Sequence, residues 1–295
     1  MNRSTRAALA AAIAVGGLAV GLRSAAPAPG PQVFRSKVEM VRVDALVTSG
    51  GHPVTGLKPS DFELLDNGVP QQVQFVDLER MPLDVTFALD TSASVAGPRL
   101  GDLRAASAAV LDHLSGQDRA GLVTFGNAVT LRSPLTAKFD DVREAMGRVA
   151  PHGDTALFDA VYAGLVLAEA NLGRKLLLVF TDGYDTSSYI RQEEIADAAG
   201  TSDVVVYAVT AGEVPSQTRE FLGKVAGATG GGLIAIEPGG GVRQAFVGII
   251  EEFRQRYLLS FSPRNVARTG WHTIEVRVKN RRAAVRARTG YQAGS

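Results

Sequence analysis

The chain has 295 residues, 31 Lys and Arg against 30 Asp and Glu for a formal net charge of +1, and no cysteine. That length leaves room for a sizeable core and for more than one domain. The balanced charge excludes a global basic or acidic field of the kind that selects nucleic acid or a highly charged substrate, and the missing cysteines exclude disulfide frameworks, thiolate metal sites and cysteine nucleophiles together.

The first thirty residues differ from everything after them. Arg3 and Arg6 precede an Ala/Leu/Val/Gly run from Ala7 to Leu22, followed by Arg23 and the small-residue, proline-bearing stretch Ser24 to Gln32. A run of about 16 apolar residues is short for a spanning helix, which needs roughly 20, and has the size of a signal-peptide apolar region. It predicts export to a secreted or periplasmic location, with cleavage placed ahead of retention as an N-terminal anchor, the one route by which this chain would meet a membrane. Small-x-small sites end at Ala26 and Ala28, each followed by a proline.

Residues 31–80 read as β. Val41, Val43, Ala45 and Val47 alternate with Arg42, Asp44 and Leu46, and Asp66-Asn67-Gly68 is a hairpin signal between FELL and VQFV. A unit of about fifty residues and four strands has little core of its own and needs strands from elsewhere.

Residues 81–256 alternate strand and helix. LDVTFALD, beginning at Leu83, is a mostly apolar run that empties into Asp90-Thr91-Ser92-Ala93-Ser94. A helix follows from Pro98 to Leu114, with apolar residues at Leu100, Leu103, Ala106, Val110, Leu111 and Leu114. Ala120 to Phe125 and Val129 to Leu131 read as a strand pair, then come a helix from Phe139 to Val149, the loop Pro151-His152-Gly153-Asp154-Thr155, and a helix from Ala156 to about Leu172. KLLLVFTDG is a second buried strand, ending in Thr181-Asp182-Gly183. It is followed by helix Gln192 to Ala199, strand Val204 to Thr210, helix Ser216 to Ala228, strand Leu233 to Ile236 and helix Val242 to Gln255. This order predicts an α/β fold: a doubly wound, mainly parallel, Rossmann-like sheet with helices on both faces, whose ligands sit at the carboxyl ends of the strands.

Residues 257–295 return to β with YLLSFSP, WHTIEVRVKN and AAVRARTG. We expect the two β flanks to pair into one small β-sandwich into which the α/β block is inserted.

Three polar loops thus fall on one rim: Asp90-Thr91-Ser92-Ala93-Ser94, His152-Gly153-Asp154-Thr155 and Thr181-Asp182-Gly183. With this set in order the sequence resembles the von Willebrand factor type A fold with its metal-ion-dependent adhesion site. It is most similar to the bacterial proteins in which that domain lies between short β segments, on the tokens VTGLKPSDFELLDNGVPQQVQF before it and YLLSFSP, GWHTIEVRVK and VRARTGY after it. The resemblance implies that Ser92, Ser94 and Thr155 offer hydroxyl oxygens to Mg²⁺ or Mn²⁺, that Asp90 and Asp182 bind it directly or through water, and that the open position attracts a carboxylate from a protein or peptide partner. It implies no covalent chemistry. Asp154 beside Thr155 departs from the family pattern, where a small or neutral residue is usual.

Other signals carry less. Asp185, Ser187 and Ser188 read as a solvated loop capping the helix at Gln192. His52, His113, His152 and His272 are scattered, without the close pairing of zinc catalysis. Ser92 sits in no nucleophile elbow. The runs Gly230-Gly231-Gly232 and Gly239-Gly240-Gly241 lack the ending of a phosphate loop and read as turns. Arg281, Arg282, Arg286 and Arg288 read as a solvated strand edge, not a nucleic-acid site. The expectation is an exported, non-enzymatic binding and adhesion module. Its rivals are a metal-free structural scaffold and, behind that, a metal-dependent hydrolase whose base would be Asp154 or Asp185.

Overall fold

The computed structural model describes residues 40–75, 81–169, 173–237 and 240–294. The export signal read over residues 1–30 and Gly239 of the second glycine run lie outside them. Among the described residues no helix is long and apolar enough to cross a membrane.

In chain order the β-strands are β1 (Val41–Ser49), β2 (His52–Pro53), β3 (Phe62–Asp66), β4 (Val69–Gln71), β5 (Gln74–Phe75), β6 (Leu83–Asp90), β7 (Arg119–Phe125), β8 (Val129–Thr136), β9 (Arg174–Thr181), β10 (Val205–Ala211), β11 (Gly232–Ile236), β12 (Tyr257–Phe261), β13 (Gly270–Val278), β14 (Ala284–Arg286) and β15 (Gly290–Ala293). The helices are α1 (Pro98–His113), α2 (Phe139–Gly147), α3 (Leu157–Glu169), α4 (Gln192–Thr201), α5 (Ser216–Ala228) and α6 (Val242–Arg254).

Six strands form the central sheet in the order β11-β10-β9-β6-β7-β8. Every neighbour pair is parallel except β7 with β8. β6 and β9 are buried at every residue, which is why their sequences run apolar without a polar face. Alternate side chains serve opposite layers. Val85, Phe87 and Leu89 of β6, with Leu176, Leu178 and Phe180 of β9, pack under α1, α2 and α6, whereas Ala88, Leu177 and Val179 pack under α3, α4 and α5. This two-sided burial holds the ends of β6 and β9 fixed, side by side, at the sheet's carboxyl edge.

β8 runs five residues past the expected Leu131. The sequence pattern breaks at Arg132, Ser133 and Pro134, but β8 is an edge strand, where a proline removes no ladder donor, and its register shifts against β7 between Ala120 and Val123.

The β flanks form two further sheets, β14-β1-β12-β5 with β2 beside β1, and β15-β13-β3-β4. Strands from the two ends of the chain pair directly, Val43 opposite Leu259 and Leu64 opposite Val276. Between the sheets lies one core that includes Val43, Ala45, Val47, Phe62, Leu64, Leu259, Phe261, Ile274 and Tyr291. The hairpin at Asn67-Gly68 forms with positive φ at both residues (47° and 79°), but its second arm is β4. The expected partner segment VQFV instead supplies β5 to the other sheet, against β12. AAVRARTG supplies β14 to β1, and its last residue, Gly290, opens β15, which pairs with β13 in the other sheet.

This division corrects the reading of the C-terminal arginines. Arg281 and Arg282 are exposed, but Arg286 is half-buried on Glu252 and Tyr207, and Arg288 is buried, its Nε donating to Gly290 O at 2.6 Å. Beside them Arg256, fully buried, donates to Tyr207 Oη (3.0 Å) and to the carbonyls of Asp44 (3.0 Å), Gly230 (2.8 Å) and Arg286 (3.3 Å). These contacts reach β1, β10, β14 and the turn after α5 from one side chain.

At the amino edge of the central sheet, Asp118 accepts hydrogen bonds from Leu83 N (2.8 Å), Ser115 N (2.6 Å), Ser115 Oγ (2.8 Å) and Arg254 Nη2 (2.6 Å). Burial by itself pushes the Asp118 carboxyl up, but the donors from Leu83, Ser115 and Arg254 together outweigh it and leave the pKa lowered. A lowered folded-state pKa contributes stability that is present above the unfolded value and is lost as pH falls through the folded one. Asp118→Asn should therefore cost about 2 kcal/mol at neutral pH. The gap between parent and variant in urea denaturation should narrow on acidification below about pH 4. A gap that is constant across that range would contradict the assignment.

Candidate functional site

The site is built where β6 and β9 end. Asp90 is the last residue of β6 and is fully buried. Its Oδ1 accepts from Ser92 N at 2.9 Å and its Oδ2 from Thr181 Oγ1 at 2.7 Å. Burial pushes the Asp90 carboxyl up. The hydrogen bonds from Ser92 and Thr181 oppose that shift, and the neighbouring Asp182 carboxylate adds to it.

The loop after Asp90 is fixed by backbone bonds to two neighbours. Thr91 N and Oγ1 both donate to Phe125 O at the end of β7 (2.7 and 2.9 Å), His152 N donates to Thr91 O (2.8 Å), and Ala93 N donates to Gly153 O (3.1 Å). Gly126 is required here, because a Cβ on it would lie 2.7 Å from His152 O. A short turn at Ala93–Val95, anchored by the buried Val95, then aims Ser92 and Ser94 at the same point.

There the hydroxyls meet Asp182. Ser92 Oγ and Ser94 Oγ are 2.9 Å apart, and Ser94 Oγ donates to Asp182 Oδ1 at 2.6 Å. Asp182 Oδ2 accepts from Arg99 Nη1 at 2.6 Å. The Asp182 side chain is wholly buried while that of Arg99 is 49% exposed.

Of the residues expected to form the site, Asp90, Ser92, Ser94 and Asp182 are joined in one cluster of short contacts. Thr155, also buried, stands on the adjoining loop, and among the described residues no hydrogen bond links it to the other four. Its backbone is clamped instead: Thr155 N donates to Thr186 Oγ1 (2.8 Å), and Thr155 O accepts from Thr186 N (2.9 Å) and Ser187 N (3.3 Å). Asp154 and His152 are exposed on the same loop.

The segment after Asp182 does cap a helix, but a different one from that expected. Asp185 Oδ1 accepts from Phe158 N (3.2 Å) and Ser188 Oγ from Asp159 N (3.1 Å), both at the start of α3, while the Asp159 carboxylate accepts from Tyr189 N (3.0 Å) and Ile190 N (2.9 Å). The first turn of α4 is closed by its own Arg191 and Glu194.

Sequence reasoning missed Arg99 as part of the site, and it placed Thr181 on the rim without its role as the donor to Asp90 Oδ2. Nothing local marks that contact, since a β-branched residue at the end of a strand needs no further explanation. Arg99 did leave a signal: a cation in the first turn of α1 opposes the helix dipole and implies a nearby acid.

A von Willebrand factor type A domain model matches residues 84–234, just over half of the chain. The chain belongs to the von Willebrand factor type A domain family. Among solved structures, proximal thread matrix protein 1 from the mussel byssus aligns at TM-score 0.50 and 16% identity, over 63% of this chain and 49% of that one. BatB from Bacteroides thetaiotaomicron aligns at TM-score 0.48 and 16% identity, over 58% of this chain and 98% of that one. The PilB minor pilin from Streptococcus sanguinis aligns at 0.48 and 13%, over 59% and 62%. At such identities the likeness concerns the fold, and in the type A fold of this chain the rim just described is the carboxyl edge of the parallel sheet.

The donor set of that rim suits a hard divalent cation. All its donors are oxygens, and the 2.9 Å between Ser92 Oγ and Ser94 Oγ is close to the edge of an octahedron of about 2.1 Å metal–oxygen bonds, roughly 3.0 Å, while the 2.6 Å from Ser94 to Asp182 is the length of their hydrogen bond.

Proposed function

We propose that this type A chain is an exported, non-enzymatic binding module in which Asp90, Ser92, Ser94, Thr155 and Asp182 hold Mg²⁺ or Mn²⁺ and a protein or peptide partner presents a carboxylate to that ion. The observation that carries the reading is the convergence of Ser92, Ser94 and Asp182 oxygens at 2.6 to 2.9 Å on a preformed rim. Such a shell of hydroxyls and few carboxylates leaves a bound cation electrophilic, which is the chemistry it would supply to an acidic ligand.

The residues divide the work. Asp90, held by Ser92 N and Thr181 Oγ1, orients the loop that carries both serines. Ser92 and Ser94 offer neutral oxygens, Asp182 offers the negative one, and Thr155 approaches from the neighbouring loop. The reading as a binder also fits the state of the candidate bases for hydrolysis: Asp185 spends its oxygens on Phe158 and Ser188, and Asp154 faces solvent. Export rests on the apolar run from Ala7 to Leu22.

The test is capture on an immobilised peptide bearing one aspartate. Retention in Mg²⁺, release by EDTA and loss of retention in Thr155→Ala are expected. Retention indifferent to EDTA and to Thr155→Ala would overturn the reading and favour a scaffold whose partners use the β-sandwich.

A further inference from the structure

The Arg99 guanidinium sits where a second cation would be unwelcome. Its Nη1 is 2.6 Å from Asp182 Oδ2, and among the described residues this is the one hydrogen bond the guanidinium makes. Asp182 is thereby fully engaged, with Ser94 Oγ on Oδ1 and Arg99 on Oδ2. A divalent ion held by Ser94 and Asp182 would lie within a few ångströms of a fixed positive charge.

The two partners differ in freedom. Asp182 leaves a strand buried on both faces, and its side chain has no exposed surface. Arg99 lies at the second position of α1, just after Gly97 (φ 80°) and Pro98, and half of its side chain is in water. A long, partly solvated arginine can turn outward at small cost, whereas the carboxylate cannot follow it.

From this asymmetry we infer that Arg99 is an intramolecular competitor for the cation: the guanidinium on Asp182 and a divalent ion on Ser92, Ser94 and Asp182 are mutually exclusive states. This inference rests on the cation-site reading above and adds to it a residue that sets the affinity. Apparent affinity for the ion falls by the fraction of molecules in which Arg99 is docked.

The experiment is Mn²⁺ titration followed by electron paramagnetic resonance on the purified protein, Arg99→Met and Arg99→Gln. Arg99→Met keeps the apolar stem, and Arg99→Gln keeps a donor for Asp182 without the charge. Both should bind Mn²⁺ about tenfold more tightly than the parent or better. Both should also show a larger rise in Tm on adding Mg²⁺ than the parent, although in EDTA they are no more stable than it. Equal Mn²⁺ affinity in the parent and both variants would overturn the competition while leaving the cation site standing. Absence of Mn²⁺ binding in all three would overturn both readings and leave Arg99 a structural counter-ion of Asp182.

Discussion

Arg256→Met is expected to lower the stability of the protein by about 3 to 5 kcal/mol. The methionine fills most of the arginine's volume, so packing is nearly kept and the cost is polar. Arg256 donates to Tyr207 Oη and to the carbonyls of Asp44, Gly230 and Arg286, in a place with no solvent. Removing one donor group strands several buried acceptors, each worth about 1 to 3 kcal/mol when unsatisfied, with partial relaxation. The same side chain stacks 5.7 Å from the Phe253 ring centroid, and Arg174 lies 4.7 Å from it while bonding Asp44 Oδ1 and Phe253 O. Urea denaturation of parent and variant measures the difference. A loss under about 1 kcal/mol would show that water replaces the arginine and that β1, β10 and β14 are not tied through it.

The second large effect belongs to the β-sandwich. Asp66 is fully buried, with His272 Nδ1 at 2.6 Å from Oδ1 and Tyr291 Oη at 2.7 Å from Oδ2. His272→Leu removes one of these two partners from a buried carboxyl group and is expected to cost about 3 to 5 kcal/mol. The pair Asp66→Leu with His272→Leu should recover much of that loss, since no stranded carboxyl group then remains. A double variant as unstable as the sum of its two single variants would contradict this assignment of the energy to the pair. Thermal and chemical unfolding of the four proteins give the cycle.

His272 and Arg286 show where sequence reading stops. His272 was one of four scattered histidines, because its partner lies 206 positions earlier and nothing local marks the pairing. Arg286 looked like an exposed edge charge until β14 set it beside Glu252 of α6. VQFV and the AAVRARTG segment alternate correctly for strands, but alternation does not say which of two sheets a strand joins, and each was assigned its partner by tertiary packing.

The central sheet was legible for the opposite reason. LDVTFALD and KLLLVFT are buried on both faces, and a run with no polar face has few places to go except the middle of a parallel sheet. Polar residues at the ends of such runs must face the rim, so Asp90, Ser92, Ser94 and Asp182 could be grouped before their distances were known. Thr155 was placed on the rim by its loop, and its backbone clamp to Thr186 came from a segment that reads locally as plain turn. Arg99 carried one local signal, its place in the first turn of α1, but which acid it meets, Asp182 just after β9, is set by tertiary packing.

The most direct measurement is calorimetric titration of Mg²⁺ and Mn²⁺ into the purified protein beside Asp90→Ala and Thr155→Ala. Uptake by the parent that both variants lose, with their far-ultraviolet circular dichroism unchanged, is the expected result. Heat of binding that persists unaltered in both variants, or the absence of uptake of either ion by the parent and by Arg99→Met alike, would contradict a cation site at the carboxyl edge of β6 and β9.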